Sequence, residues 1–139
     1  MGSQTHATLV AADPRTARRA VALTLAGWGL NDLAEDAELV VAEMAMNAVG
    51  HGGGIESITM EYDHDRLRIE VADANSRLPR VIRSTSVAET EAAGGRGLRI
   101  VEALSTNWGW RLRPPGKIVW AELAPTGLSP SPAVPPGRR

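Results

Sequence analysis

The stretch that decides the fold is AEMAMNAVGHG, residues 42–52. Alanine, methionine and valine fill most of it, a composition typical of a buried helix. Glu43, Asn47 and His51 interrupt the apolar run at intervals of four, so their side chains form one stripe along the helix. Glycines from Gly50 to Gly54 end the helix. The stripe and the glycines together indicate a functional surface. For Glu43 and Asn47 alone, two solvated polar residues on an amphipathic helix remain the alternative.

The segments on either side of this helix predict an α+β protein. Periodicity, capping residues and turn residues predict a strand at 6–11, a helix from Asp13 to about Gly27, the central helix from Asn31 or Asp32 to about Val49, strands at 55–62 and 66–72, a helix at 98–104, and strands at 107–112 and 117–123. Glu35 follows Asp32 by three residues, which predicts a capping box. The strands at 55–62 and 66–72 are too close for a crossover helix, which argues against a doubly wound sheet. We therefore expect a two-layer α/β sandwich, with a mixed, mostly antiparallel sheet and helices on one face.

Composition narrows the class of protein. The 139 residues, 43% of them hydrophobic, suffice for one domain with a modest core. The net charge of −1 gives no support for nucleic-acid binding, and the absence of cysteine excludes disulfides and thiolate metal sites. No apolar run approaches the roughly 20 residues of a membrane span, and no signal peptide opens the chain, so we expect a cytoplasmic protein without membrane contact. We expect one domain at 1–124 and a proline-rich, disordered tail at 125–139.

Three groups of residues have the chemistry of a nucleotide site. The Glu43 carboxylate can orient or deprotonate a hydroxyl, and the Asn47 amide oxygen is a hard ligand suited to Mg²⁺. Asp73 ends a predicted strand, where its carboxylate can accept a hydrogen bond from the amino group of adenine, although an aspartate there is also a common turn-former. The segment Gly94-Gly95-Arg96-Gly97 precedes a helix, so its backbone amides can approach phosphate. It lacks the Gly-Lys-Ser/Thr of a Walker P-loop.

The order of these groups resembles one known superfamily. Residues 42–52 resemble the N-box of the GHKL ATPases (gyrase, heat-shock chaperone, histidine-kinase-like and mismatch-repair), EVADAN at 70–75 resembles their first glycine box, and GGRGLRIV at 94–101 resembles their second. The closing WGW at 108–110 and GKIVWAEL at 116–123 are similar to the terminal hairpin of the anti-sigma-factor serine kinases. The resemblance covers roughly residues 5–124 and implies a Bergerat-type ATP-binding fold.

The resemblance also implies roles for single residues. Asn47 would hold Mg²⁺, Glu43 would be the catalytic carboxylate, and Asp73 would read adenine. Residues 76–93 would form an ATP lid. The remaining ATP-binding residues would be His51, Asn75, Gly94, Gly95, Arg96, Gly97 and Leu98. In the anti-sigma branch such a domain is similar to a homodimeric switch that sequesters a sigma factor and phosphorylates a serine of a small anti-anti-sigma (STAS-type) antagonist.

Several positions leave alternatives open. Asn75 stands where the first glycine box usually has glycine, Gly50 replaces a residue that is often basic, and Ala92-Ala93 occupy the place of a lid arginine. A nucleotide-gated binding module without strong catalysis is therefore the alternative to a kinase. His51 contacts phosphate or has a structural role. The four tryptophans are interpreted as packing residues, and Arg15, Arg18 and Arg19 as a solvated helix face or a partner surface.

Overall fold

The computed structural model describes residues 5–51, 53–74 and 96–125. The elements in chain order are β1 (Thr5–Leu9), α1 (Pro14–Gly27), a 3-10 turn (Asn31–Leu33), α2 (Ala34–His51), β2 (Ile55–Asp63), β3 (Arg66–Asp73), α3 (Arg96–Leu104), β4 (Asn107–Arg113) and β5 (Gly116–Leu123). The predicted lid at 76–93, Asn75, Gly94, Gly95 and the chain beyond Pro125 lie outside the described residues.

The five strands form one sheet in the order β1-β2-β3-β5-β4. Each pairing in the described part of the chain is antiparallel. Alternate residues of the strands face the helices and are buried: Ile58, Met60, Leu67, Ile69, Val71, Val119, Ala121 and Leu123. The predicted α+β sandwich with helices on one face is confirmed.

Helix α2 is the centre of the helical layer. It contacts α1 and α3 and also packs on β2, β3 and β5. Small residues at these contacts (Ala37, Ala45, Ala48) let the neighbouring backbones approach, while Val40, Val41 and Met44 fill the core. The apolar composition of α2 follows from this central place.

Local signals set the ends of α1 as predicted. The Asp13 carboxylate accepts a hydrogen bond of 2.7 Å from the backbone N–H of Thr16, and this contact lowers the pKa of Asp13. At the other end Gly29 has φ 75°, and the N–H of Leu30 donates to the carbonyl of Leu25 at 2.9 Å. This is a Schellman-type end that requires a left-handed residue, which glycine supplies without strain.

The start of α2 and the end of β1 differ from the sequence prediction. The segment before α2 is a 3-10 turn that contains Asp32. Leu30 precedes this turn, and Leu33 precedes the first residue of α2. The capping box of Asp32 and Glu35 was therefore wrong, because neither leucine has a side chain that can accept a hydrogen bond. Strand β1 ends at Leu9 rather than at residue 11, and Val10 is 87% exposed.

The hairpin between β2 and β3 has a two-residue turn, whereas the predicted strands leave three residues, 63–65, between them. Asp63 pairs with Arg66, so only His64 and Asp65 form the turn, with φ of 53° and 60°. Two successive positive φ values define a type I′ turn, whose twist matches that of the strands.

Within the described residues, no helix is long and apolar enough to cross a membrane.

The four tryptophans have packing roles. Trp28, Trp108 and Trp110 are partly buried against the core. Trp120 lies on the opposite face of the sheet and is 1% exposed. The Arg68 guanidinium stacks 4.2 Å from its ring centre, and Gly109 leaves room for its indole. A charged side chain thus covers an aromatic residue on the sheet face opposite the described helices.

Candidate functional site

The polar stripe of α2 is where the sequence predicts it. Glu43 and Asn47 lie four residues apart on this helix and are half-buried, next to the buried Met44 and Ala48. Within the described residues, neither side chain makes a hydrogen bond or an ion pair. Half-buried polar groups without protein partners are available to a ligand. Their chemistry, a carboxylate beside an amide oxygen, fits a magnesium–phosphate group.

The end of α2 is held by glycine. The N–H of Gly54 donates to the carbonyl of Ala48 at 3.0 Å, and both Gly53 and Gly54 have positive φ (77° and 110°). This turn leads the chain directly from the polar stripe into β2. His51 is the last residue of α2, and its side chain is outside the described part, so its contact with phosphate stays a prediction.

Asp73 is the last residue of β3 and is 3% exposed. It faces the helical layer, since it shares a strand face with Ile69 and Val71. Its carboxylate oxygen Oδ2 contacts the Nζ of Lys117 at 2.8 Å, and both side chains are buried. An ordinary turn-forming aspartate would be solvated, so this burial argues for a specific role.

The sequence analysis missed Lys117. It is the only lysine of the chain, and it lies in β5 directly opposite Asp73. The signal was present, because Lys117 occupies the strand face of Val119, Ala121 and Leu123, where a charge requires a buried partner. Alternation in β5 and the position of Asp73 at the end of β3 would together have indicated the pair.

Gly116 brings β5 against the end of β3. A methyl group on its Cα would overlap the carbonyl oxygen of Asp73, and would lie 2.7 Å from the carbonyl carbon of Asp73 and 3.0 Å from the Cα of Ala74. Gly116 does not have a positive φ, so glycine is required at this position because there is no space for a side chain, and not because of the backbone conformation. The backbone contact sets the position of Asp73.

Helix α3 begins within the segment that resembles the second glycine box. Its backbone begins at Arg96 and Gly97, whose side chains are outside the described part. Leu98 is 4% exposed and, with Val101, packs in the core, so its side chain holds the start of the helix in place. A helix start of this kind favours phosphate.

The residues present suit Mg²⁺ better than a metal held wholly by protein. Among the described residues there is no cluster of three His, Asp or Glu side chains able to hold a metal ion. Mg²⁺ in nucleotide sites is typically held by one or two protein oxygens together with phosphates and waters. The amide of Asn47, without a described partner, fits that requirement.

The opposite face of the sheet is closed by ion pairs. Glu70 is bound by Arg68 at 2.7 Å and by Arg111 at 3.2 Å, and Arg68 also binds Glu122 at 2.9 Å. Burial alone would raise the pKa of Glu70, but the hydrogen bonds and charges of the two arginines outweigh it and lower the pKa. This network stabilises the sheet and is not part of the candidate site.

Comparison with known proteins agrees with this geometry. The histidine kinase-like ATPase domain family matches residues 8–123, from β1 to the end of β5. No curated protein matches the chain. The family match covers the stripe of α2, Asp73 and the start of α3, and ATP binding is the activity that it implies. The chain therefore belongs to the family of histidine kinase-like ATPase domains.

Proposed function

We propose that the chain binds ATP with Mg²⁺ where the stripe of α2, the end of β3 and the start of α3 supply the ligands. The observation that carries this proposal is the pair Glu43 and Asn47, half-buried on one helix without a described partner. The buried Asp73 and the helix start at Arg96 add the other two groups that a nucleotide needs.

Each residue has a distinct role in this proposal. Asn47 holds Mg²⁺, which neutralises phosphate charge when bound. Asp73 accepts a hydrogen bond from the adenine amino group. The proposed contacts at the second glycine box are Gly94, Gly95, Arg96, Gly97 and Leu98. His51 and Asn75 are further proposed contacts.

The proposed activity is that of an anti-sigma-factor serine kinase. The closing segments WGW and GKIVWAEL, which form β4 and β5, support this branch by resemblance. The Glu43 carboxylate would take the proton of a serine hydroxyl as that oxygen bonds to the γ-phosphorus of ATP, while the bond from this phosphorus to the β-phosphate oxygen breaks and ADP leaves. The substrate would be an anti-anti-sigma antagonist of the STAS type. The second partner would be a sigma factor, sequestered by a homodimer of this chain.

One experiment separates the kinase from a nucleotide-gated module. The chain is incubated with labelled ATP, Mg²⁺ and candidate antagonist proteins from the same genome. Glu43→Ala should keep ATP binding while phosphorylation falls about 10²- to 10⁴-fold, as for a lost general base. Asn47→Ala should instead lose the magnesium-dependent part of ATP affinity.

Glu35→Ala is the matched control, because Glu35 is an exposed carboxylate in the first turn of the same helix. Glu35→Ala should change neither the phosphorylation of the antagonist nor the magnesium-dependent part of ATP affinity. A parent protein that phosphorylates no antagonist, yet changes its affinity for a partner when nucleotide binds, refutes the kinase and supports the gated module. The exposed Gly50, which offers no basic side chain beside the stripe, favours that second function.

A further inference from the structure

The buried ion pair of Lys117 and Asp73 is an unusual use of charge. Their side chains are 0% and 2% exposed, and the Nζ to Oδ2 distance is 2.8 Å. Apolar residues of similar volume often stabilise a fold as well as a buried ion pair or better. Stability alone therefore does not explain why the only lysine of the chain lies here.

The pair controls the hydrogen-bonding character of Asp73. An ionised carboxylate only accepts hydrogen bonds, whereas a neutral carboxylic acid can also donate one. The Nζ of Lys117 donates to Oδ2 at 2.8 Å, so the two side chains form an ion pair in which the carboxylate of Asp73 accepts hydrogen bonds.

This state distinguishes the two purines. The amino group of adenine donates a hydrogen bond, while the carbonyl oxygen O6 of guanine accepts one. An acceptor-only group pairs with the first and repels the second. A neutral acid would be able to donate to O6 and would lose much of this discrimination.

We propose that Lys117 is a specificity-determining residue of the nucleotide site, acting through Asp73 to favour adenine over guanine. This inference rests on the proposed ATP site. Lys117 is a positioning residue, since it contacts the carboxylate and not the base. Gly116 supports it, because the close contact of its backbone with Asp73 keeps β5 and Lys117 beside β3.

The test compares ATP and GTP binding, each with Mg²⁺, by calorimetry on the full chain. The measured quantity is the ratio of the two dissociation constants. Lys117→Met should lower the adenine preference by about 10- to 100-fold, the value of a hydrogen bond to a charged group. In an Asp73→Asn background, the same change should alter the preference by less than about twofold, because Lys117 then has no carboxylate to act on.

A control and a second variant keep the result interpretable. Arg113→Met removes a cation of the same hairpin, one that pairs with the exposed Glu56 at 2.6 Å, and should leave the preference unchanged. If Lys117→Met does not fold, Lys117→Arg should keep the preference, since it keeps the charge. The double variant Asp73→Asn, Lys117→Met has no buried charge at the pair and should lose the preference.

The outcomes separate the two proposals. A folded Lys117→Met protein with the parental preference overturns the role of Lys117 and leaves the ATP site intact. A double variant with the parental preference overturns Asp73 as the adenine-binding residue, and with it the role of Lys117, while ATP binding itself stands. A parent that binds neither nucleotide at millimolar concentration overturns the proposed function itself.

Discussion

The substitution Gly116→Ala tests how the backbone positions Asp73, the residue proposed to bind adenine. The added methyl group would overlap the Asp73 carbonyl oxygen and lie 2.7 Å from the carbonyl carbon. Ordinary carbon–carbon contacts begin near 3.5 Å, so β5 must move away from β3 by roughly 1 Å. No flexible side chain can relieve the clash, since all the atoms involved are backbone atoms of Asp73 and Ala74.

That displacement has a calculable consequence. Moved by roughly 1 Å, the 2.8 Å contact of Lys117 with Asp73 would exceed hydrogen-bonding distance. Overpacking typically costs about 1–3 kcal/mol and disruption of a buried ion pair about 3–5 kcal/mol. With partial relaxation we expect a loss of about 2–4 kcal/mol in the free energy of unfolding. This corresponds to a fall in Tm of roughly 6–16 °C for a domain of this size.

Thermal and urea denaturation measure this loss, and calorimetry with ATP measures the site. Gly27→Ala is the matched control, because a methyl group at Gly27 would meet no atom within 4 Å. It should leave Tm unchanged or raise it slightly. A Gly116→Ala protein with parental Tm and parental ATP affinity would refute the close approach of the strands, and with it the positioning of Asp73.

Three further changes test other parts of the structure. Gly109→Ala places a methyl group 2.8 Å from the indole of Trp120, which is buried and cannot turn away. The free energy of unfolding, measured by urea denaturation, should therefore fall by about 1–3 kcal/mol, and no change would mean that the indole is mobile. Leu98→Ala removes a buried core side chain and should lower the free energy of unfolding by about 2–4 kcal/mol. The ATP affinity, measured well below Tm, should stay near that of the parent if only the backbone of Leu98 faces the ligand. Glu70→Gln should cost about 1 kcal/mol at pH 7, because the network is partly open to solvent. The arginines lower the pKa of Glu70 in the folded protein, so the contribution of Glu70 to the free energy of unfolding is complete above the ordinary value of 4.5 and disappears as pH falls through the folded pKa. Parent and variant should therefore converge in stability at acid pH. A constant difference between them down to pH 2 would contradict this.

The fold was predictable because its signals are local. The cap at Asp13, the glycine end of α1 and the alternation of β2 and β3 each specify an element within a few residues. The start of α2 failed because Asp32 and Glu35 match a capping box in sequence, whereas burial of Leu33 places Asp32 inside a 3-10 turn. Tertiary packing overrode a local preference there.

The candidate site was predictable only in part. Glu43 and Asn47 are found from helical spacing, since both lie on one element. Lys117 was missed because its role depends on strand pairing between residues far apart in sequence. The ion-pair network around Glu70 was missed for the same reason: Glu122 and Arg111 reach it only through the register of β3, β4 and β5.

The most direct test of the central claim is calorimetric titration of the parent chain with ATP, in the presence of Mg²⁺ and after its removal by chelation. We expect saturable ATP binding that weakens without Mg²⁺, and a clear preference for ATP over GTP under the same conditions. Equal binding of ATP and GTP would contradict the role of Asp73 as adenine reader. No binding of ATP at millimolar concentration would contradict the nucleotide site as a whole.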